Sequence, residues 1–179
     1  MMIINVYQAV AKTKHILSKP IFSPKRIDFD PNAPWLGAGY YFWEHRVENA
    51  IKWGNTRYCG NYSIYGSAYL LDNDKCLDFA SSHDDIEQLK TVYNHLISMG
   101  IPQQEVTIDK IVGFILDMLK WQGIKLVCTR LKTKPFLNEK TTVRTPNNYY
   151  LSFPVETIQV CFYDFPNELI LSDYSLLSE

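Results

Sequence analysis

The sequence predicts one α+β domain over residues 1–179, and three observations carry that prediction. β-branched and aromatic runs lie at both ends of the chain, apolar residues recur at helical spacing between them, and no internal repeat or linker interrupts the pattern. The 179 residues are 46% hydrophobic and 21% charged, which suffices for a sizeable core and excludes disorder and coiled coil. We therefore expect sheet at the two ends and helices between.

The first half of the chain mixes strand patterns with helix patterns. The expected strands are 3–7, 35–43, 62–71 and 76–79, and the expected helices are 10–17 and 44–58. Residues 19–37 contain four prolines together with aspartate and asparagine, which is typical of a loop. Loops of this length are uncommon in compact domains and are often functional.

The second half begins with two amphipathic helices. Ser82 is placed to cap the first, with Asp84 and Asp85 favourable in its first turn. The second is expected over 107–121, with Gly123 as its stop. The expected strands that follow are 124–129, 149–153, 156–163 and 169–171, with a solvated loop over 132–140.

Composition excludes several classes of function. The 18 basic and 19 acidic side chains give a net charge of −1, which argues against nucleic acid as the main ligand. No apolar run reaches the roughly 18 residues of a membrane span, and the N-terminus lacks the pattern of a secretory signal, so we expect a cytoplasmic protein. The four cysteines stand far apart without ligand-like histidines, so we expect buried thiols and no metal site.

Residues 35–43 are the most informative segment. They combine five aromatic residues with two glycines directly after the long loop. Strand alternation places Tyr40 and Phe42 on one face and Tyr41 and Trp43 on the other. Glycines here indicate either unusual backbone geometry or close approach of a ligand. The Gly-x-Gly pair precedes a strand and has no third glycine, so it does not fit the dinucleotide-binding fingerprint.

The string Gly37-Ala38-Gly39-Tyr40-Tyr41-Phe42, followed by a helix with Trp53, resembles the central motif of ADP-ribosyltransferases. The similarity is to the diphtheria-toxin and poly-ADP-ribose-polymerase branch and its small bacterial relatives. It spans the chain in element order, with the closest residue matching from 35 to 53. It implies split antiparallel β-sheets with flanking helices, NAD as a substrate, and Gly39 and Trp53 near the bound ligand.

The resemblance also assigns roles in the first strand and the aromatic strand. Tyr41 takes the tyrosine position of the family's His-Tyr-Glu triad, against the nicotinamide end of NAD. Tyr7 matches the tyrosine of the first strand, but Gln8 stands in place of the histidine and Ala9 in place of a glycine. The resemblance implies that Ala9 holds the nicotinamide amide through its backbone, and that Gln8 hydrogen-bonds a ribose hydroxyl through its amide.

The position of the triad glutamate has two candidates. Alternation along the late strand puts Ile158 and Val160 on the core face, so Gln159, where the family's glutamate aligns, is expected to face outward. Glu156, at the start of the strand, is the other candidate. A carboxylate suits this chemistry because it stabilises an oxocarbenium-like transition state, and a glutamine supplies the hydrogen bond without the charge.

Three hypotheses follow. The first is an ADP-ribosyltransferase, such as a toxin or a modifying enzyme, that transfers ADP-ribose from NAD to an unknown protein or small-molecule acceptor. The second is a catalytically inactive module of this fold that binds a nucleotide or a protein partner, which the change at Gln8 favours. The third is an unrelated α+β domain whose aromatic strand is only core. The first two require Gln8, Tyr41 and either Glu156 or Gln159 to converge on one cleft.

Overall fold

The computed structural model describes residues 1–23, 36–133, 140–144, 150–154, 157–164 and 170–178, and it confirms a mixed α+β architecture. Its helices are α1 (Val47–Tyr58), α2 (His83–Ser98) and α3 (Ile108–Trp121). Its strands are β1 (Met2–Ala11), β2 (Phe22–Ser23), β3 (Gly39–Glu44), β4 (Tyr62–Leu71), β5 (Cys76–Phe79), β6 (Cys128–Thr133), β7 (Lys140–Arg144), β8 (Tyr150–Pro154), β9 (Thr157–Phe162) and β10 (Ile170–Ser178). None of the helices in these residues is long and apolar enough to cross a membrane.

Eight of the strands form one mixed sheet. Seven run in the order β10-β4-β1-β3-β9-β6-β5, and β2 pairs with β3 beside this path. Most neighbours are antiparallel, but β5 and β6 are parallel, with Cys76 opposite Cys128. β7 and β8 form a separate antiparallel pair. The sheet is therefore mixed rather than purely antiparallel.

The sheet curves strongly enough to enclose a core on one side, which we call the core face. Tyr69 of β4 and Phe162 of β9 stand three strands apart in the sheet, about 14 Å if the sheet were flat. Their ring centroids are nevertheless 4.9 Å apart, and Phe42 packs against both rings. Burial of these aromatic side chains holds β4 and β9 together across the curved sheet.

The opposite side of the sheet, which we call the helix face, carries two hydrophobic clusters. Under α1, the buried residues are Ala9, Trp43, Ala50 and Ile64. The second cluster joins β5, β9, α2 and α3, and its buried residues are Leu36, Leu77, Phe79, Val92, Leu96, Ile111, Val112, Ile115 and Cys161. Along β3, Trp43 belongs to the first cluster and Tyr41 packs against the second. The boundary between the two clusters therefore crosses β3.

Several expected elements are confirmed. β4 and β5 have the expected bounds, the hydroxyl of Ser82 accepts a hydrogen bond from the Asp85 N–H at 3.2 Å, and Gly123 has φ of 75° after α3. Strand alternation also holds, because Tyr40 and Phe42 pack in the core-face cluster and Tyr41 and Trp43 pack on the helix face.

The expected helix over 10–17 is wrong. β1 continues to Ala11 because it pairs with β4 along all ten of its residues, from Met2 opposite Leu71 to Ala11 opposite Tyr62. The strand expected over 124–129 begins only at Cys128, and the one expected over 169–171 extends to Ser178. Part of the expected loop over 132–140 belongs to β6 and β7, and 134–139 lie outside the described residues.

Candidate functional site

The strands that carry the two family-like motifs, β1 and β3, separate where those motifs meet. Their ladder consists of Val6 opposite Glu44 and Tyr7 opposite Trp43. Beyond that point the Gln8 side chain spans the gap. Its Nε2 donates to the Ile21 carbonyl at 3.0 Å and to the Tyr41 carbonyl at 3.1 Å.

The oxygen of the Gln8 amide also has its hydrogen-bond partners within the fold. Its Oε1 accepts from the Ile21 N–H at 3.0 Å and from the Tyr174 hydroxyl at 2.8 Å. A glutamine amide offers two donor hydrogens and two acceptor lone pairs, and all four have partners here. Gln8 is 7% exposed. The hydrogen bond to a ribose that the resemblance assigns to Gln8 stays a prediction, and this geometry does not favour it.

Tyr41 is similarly anchored. Its hydroxyl accepts from the Leu36 N–H at 2.8 Å and donates to the Gly37 carbonyl at 2.7 Å. Burial, followed by the neighbouring Cys161 thiol, raises the pKa of Tyr41 well above its ordinary value, so the phenol stays neutral. The hydroxyl therefore holds the turn that precedes β3, and the aromatic ring is what Tyr41 can offer to a ligand.

The two glycines of the motif have separate structural reasons. Gly37 adopts φ of 94°, which residues with a Cβ rarely reach. Gly39 lies so close to β9 that a Cβ there would stand 2.5 Å from the Phe162 carbonyl oxygen and 2.5 Å from the Cys161 sulfur. Of the two uses expected for these glycines, unusual backbone geometry applies to Gly37, and the close approach at Gly39 is to a neighbouring strand.

Tyr7 and Ala9 of β1 lie on the helix face under α1, together with Trp53 of α1 itself. Ala9 is 5% exposed, and Tyr7 and Trp53 pack against the same cluster. The rings of Trp53 and Trp43 have centroids 6.2 Å apart in a tilted arrangement. Trp43 is 5% exposed and Trp53 is partly exposed, so of this pair Trp53 offers ring surface beside the place where β1 and β3 separate.

Two residues were candidates for the glutamate position. Glu156 lies outside the described residues, and Gln159 lies within them. Gln159 stands on the helix face of β9, opposite Trp43 of β3 and Leu131 of β6. The expectation that it faces outward is wrong, because β9 is a central strand that is buried on both faces, and Gln159 is 7% exposed. Its Oε1 has no hydrogen-bond partner among the residues that the structure describes. Burying an acceptor without a hydrogen-bond partner lowers the stability of the fold, and most buried acceptors in native proteins have a partner.

A charged cluster on the core face was not expected from the sequence. Arg130 donates to both carboxylate oxygens of Glu44, from Nε and Nη2 at 2.8 Å each, and its Nη1 reaches Asp78 at 2.5 Å. Burial lowers the pKa of Arg130, but the hydrogen bonds and charge of Glu44 outweigh it, so the pKa rises overall. His45, with φ of 63°, places Nε2 2.8 Å from Glu44. Arg130 is thus an ion-pair partner of both Glu44 and Asp78.

The structure brings together part of the expected site. Tyr41, Trp53 and Gln159 share the helix face around Trp43, whereas the Gln8 side chain lies on the core face with Tyr174. The convergence of Gln8, Tyr41 and Gln159 on one cleft, which the first two hypotheses require, is therefore not observed. Comparisons with protein-family models, with curated proteins and with solved structures find no match to this chain. The case for a function therefore rests on these residues and their geometry.

Proposed function

We propose that the chain is an ADP-ribosyltransferase-like protein that binds NAD on the helix face around Trp43 and transfers ADP-ribose to a protein or small-molecule acceptor. The observation that carries the proposal concerns Gln159, which stands opposite Trp43 and whose buried Oε1 has no partner within the described part of the chain. An unpaired acceptor among aromatic rings suits a ligand with a hydroxyl donor beside a flat ring. The nicotinamide riboside half of NAD has both.

The fold gives further support. The resemblance implies split β-sheets, and the pairing of β1 with β3 ends at the Tyr7–Trp43 pair. Tyr41 and Trp53 then supply ring surface on the helix face beside the separation. Gln159 lies on β9, next to β3, as the family's glutamate would.

The proposed reaction is a substitution at the anomeric carbon of the nicotinamide ribose. The bond from C1′ to the nicotinamide nitrogen breaks, and nicotinamide leaves with the electron pair. An acceptor nucleophile bonds to C1′ and loses its proton to solvent. In this scheme Gln159 Oε1 accepts a hydrogen bond from the ribose 2′-hydroxyl and orients the sugar. A neutral amide stabilises the positive charge at C1′ less than a carboxylate does, so we expect slow turnover.

A second candidate is a module of the same fold that binds NAD without cleaving it. The observation that favours it is the Gln8 amide, whose four hydrogen-bonding positions are all taken within the fold. Two triad positions would then lack their family function, namely Gln8 and the uncharged Gln159.

The test measures NAD binding by calorimetry and nicotinamide release by chromatography, with and without a cell extract as a source of acceptors. We expect Gln159→Glu to raise nicotinamide release about a hundredfold, the usual effect of one well-placed charge-stabilising group. Gln159→Leu should weaken NAD binding about tenfold by removing one hydrogen bond. Gln122→Glu, at an exposed residue after α3, is the matched charge control and should change neither.

The outcomes separate the candidates. Binding of NAD with no nicotinamide release from either wild type or Gln159→Glu would favour the binding module. A wild-type chain that binds no NAD, while its circular dichroism shows it folded, would overturn both.

A further inference from the structure

Two buried cysteines face each other where β5 and β6 pair. Cys76 stands directly opposite Cys128 in the parallel ladder, and the two sulfur atoms are 3.1 Å apart. Both are free thiols and belong to the core-face cluster. Neighbouring strands lie about 4.8 Å apart, which is within the range of Cα separations that a disulfide bridges. A bond between these sulfurs therefore needs them to approach by about 1 Å and needs no rearrangement of the backbone.

The register that brings the two sulfurs together is fixed on both sides of the pair. Before it, the Val127 N–H donates to the Lys75 carbonyl at 2.8 Å. Two residues beyond it, Asp78 stands opposite Arg130, and the two side chains form an ion pair. The thiols are therefore held next to each other by the fold, which gives their reaction a high effective concentration.

The two thiols of the pair differ in access and in protonation. Cys128 is fully buried and donates its S–H to the Cys76 sulfur. This hydrogen bond, followed by burial, raises the pKa of Cys128 well above its ordinary value, so Cys128 stays protonated near neutral pH. Cys76 lies on β5, the last strand of the main sheet, and keeps 8% of its surface exposed. A small oxidant therefore reaches Cys76 first.

We propose that Cys76 and Cys128 are a redox modification site, at which a peroxide converts the two thiols into a reversible disulfide. The Cys76 sulfur attacks one oxygen of hydrogen peroxide, which gives the sulfenic acid of Cys76 and releases one water. The Cys128 sulfur then attacks the Cys76 sulfur and forms the S–S bond, and the hydroxyl group leaves with the Cys128 proton as a second water. The two sulfurs together lose two electrons, which reduce the peroxide to water.

The disulfide would close a long loop of the chain. Cys76 and Cys128 are 52 positions apart in sequence, and α2 and α3 lie between them. A crosslink across such a loop stabilises the fold mainly by restricting the unfolded chain. It would also attach the outermost strand β5 covalently to β6. Oxidation and reduction of this pair therefore switch the chain between a less stable and a more stable form, independently of NAD binding.

The test treats the folded full-length chain with hydrogen peroxide at neutral pH, alkylates the remaining thiols in denaturant and maps the unreduced peptides by mass spectrometry. We expect two of the four thiols to be lost, one crosslinked peptide pair joined through Cys76 and Cys128, and recovery of all four thiols after a dithiol reductant. Cys59→Ser, at the exposed cysteine after α1, is the matched control and should form the same crosslink.

Thermal unfolding measures the effect of the crosslink on stability. The melting temperature should rise by about 8–16 °C on oxidation, the shift that closing a loop of about 50 residues produces in a domain of this size, and should return after reduction. Cys128→Ala should show no rise, whereas Cys59→Ser should show the full rise. If Cys128→Ala does not fold because of the cavity it leaves, the peptide map of the wild-type chain still decides, since it needs no variant.

The remaining cysteine provides a further comparison. Cys161 packs on the helix face, on the opposite side of the sheet from Cys76 and Cys128. A folded chain that keeps all four thiols after peroxide, or one whose crosslink joins Cys59 or Cys161 instead, would overturn the proposal. A Cys76–Cys128 bond that leaves the melting temperature unchanged would overturn the stability switch. None of these measurements involves NAD, so their failure is distinct from failure of the proposed function.

Discussion

Replacing Arg130 with methionine should destabilise the fold severely. Methionine keeps much of the apolar volume but removes the guanidinium that donates to both oxygens of the fully buried Glu44 carboxylate and leaves His45 beside it. Breaking a buried ion pair by removing one partner costs about 3–5 kcal/mol, because the remaining charge cannot return to water. For a domain of this length each kcal/mol lowers the melting temperature by about 2–4 °C, so we expect a fall of about 6–20 °C.

The measurement is urea and thermal unfolding at pH 7, followed by circular dichroism. Arg57→Met, on the exposed side of α1, is the control and should change the free energy of unfolding by less than about 0.5 kcal/mol. The double variant Glu44→Leu with Arg130→Met should be more stable than Arg130→Met alone, because neither charge of the pair is then stranded. The reasoning is refuted if Arg130→Met loses no more stability than Arg57→Met.

Two further predictions concern β3 and its neighbour β9. Gly39→Ala should destabilise the chain by about 1–3 kcal/mol, because the new Cβ would stand 2.5 Å from the backbone oxygen of Phe162. Gly113→Ala in α3 meets no atom within 4 Å and should stabilise the chain by about 0.5–1 kcal/mol. Urea unfolding of both variants measures this difference, and equal effects on the free energy of unfolding would contradict it. Burial raises the pKa of Cys161 from its ordinary 9.0 to about 12, so as the pH rises the unfolded chain loses this proton before the folded chain does. The contribution of Cys161 to the free energy of unfolding is therefore fully present below pH 9 and should fall by about 1.4 kcal/mol per pH unit between pH 9 and 12. Urea unfolding from pH 8 to 10 should show a shallower fall in Cys161→Ala, and an unchanged slope would count against the assignment.

Local patterns predicted the elements whose signals lie within a few residues of one another. Ser82 with Asp85 begins α2, and the run of β-forming residues predicts β4 from Tyr62 to Leu71. The range predicted for β1 ended too early, at Tyr7, because the residues beyond it carry no strong strand pattern of their own. Their extended conformation comes from pairing with β4, some fifty residues later in the chain.

The candidate site was predictable only in part, for a related reason. The aromatic strand and the Gln159 position follow from the motif and from alternation. The ion pair between Arg130 and Glu44 joins residues 86 apart, and no local spacing indicates it.

The way Gln8 joins the separated strands has a consequence for how this site can change. A neutral histidine has one donor and one acceptor, so at position 8 it could serve at most two of the four groups that the Gln8 amide serves, contributed by Ile21, Tyr41 and Tyr174. The substitution Gln8→His would therefore leave at least two of these groups without a partner and weaken the junction between the strands. Gln8 can therefore be substituted without loss of stability only if other groups first form hydrogen bonds to the backbone of Ile21.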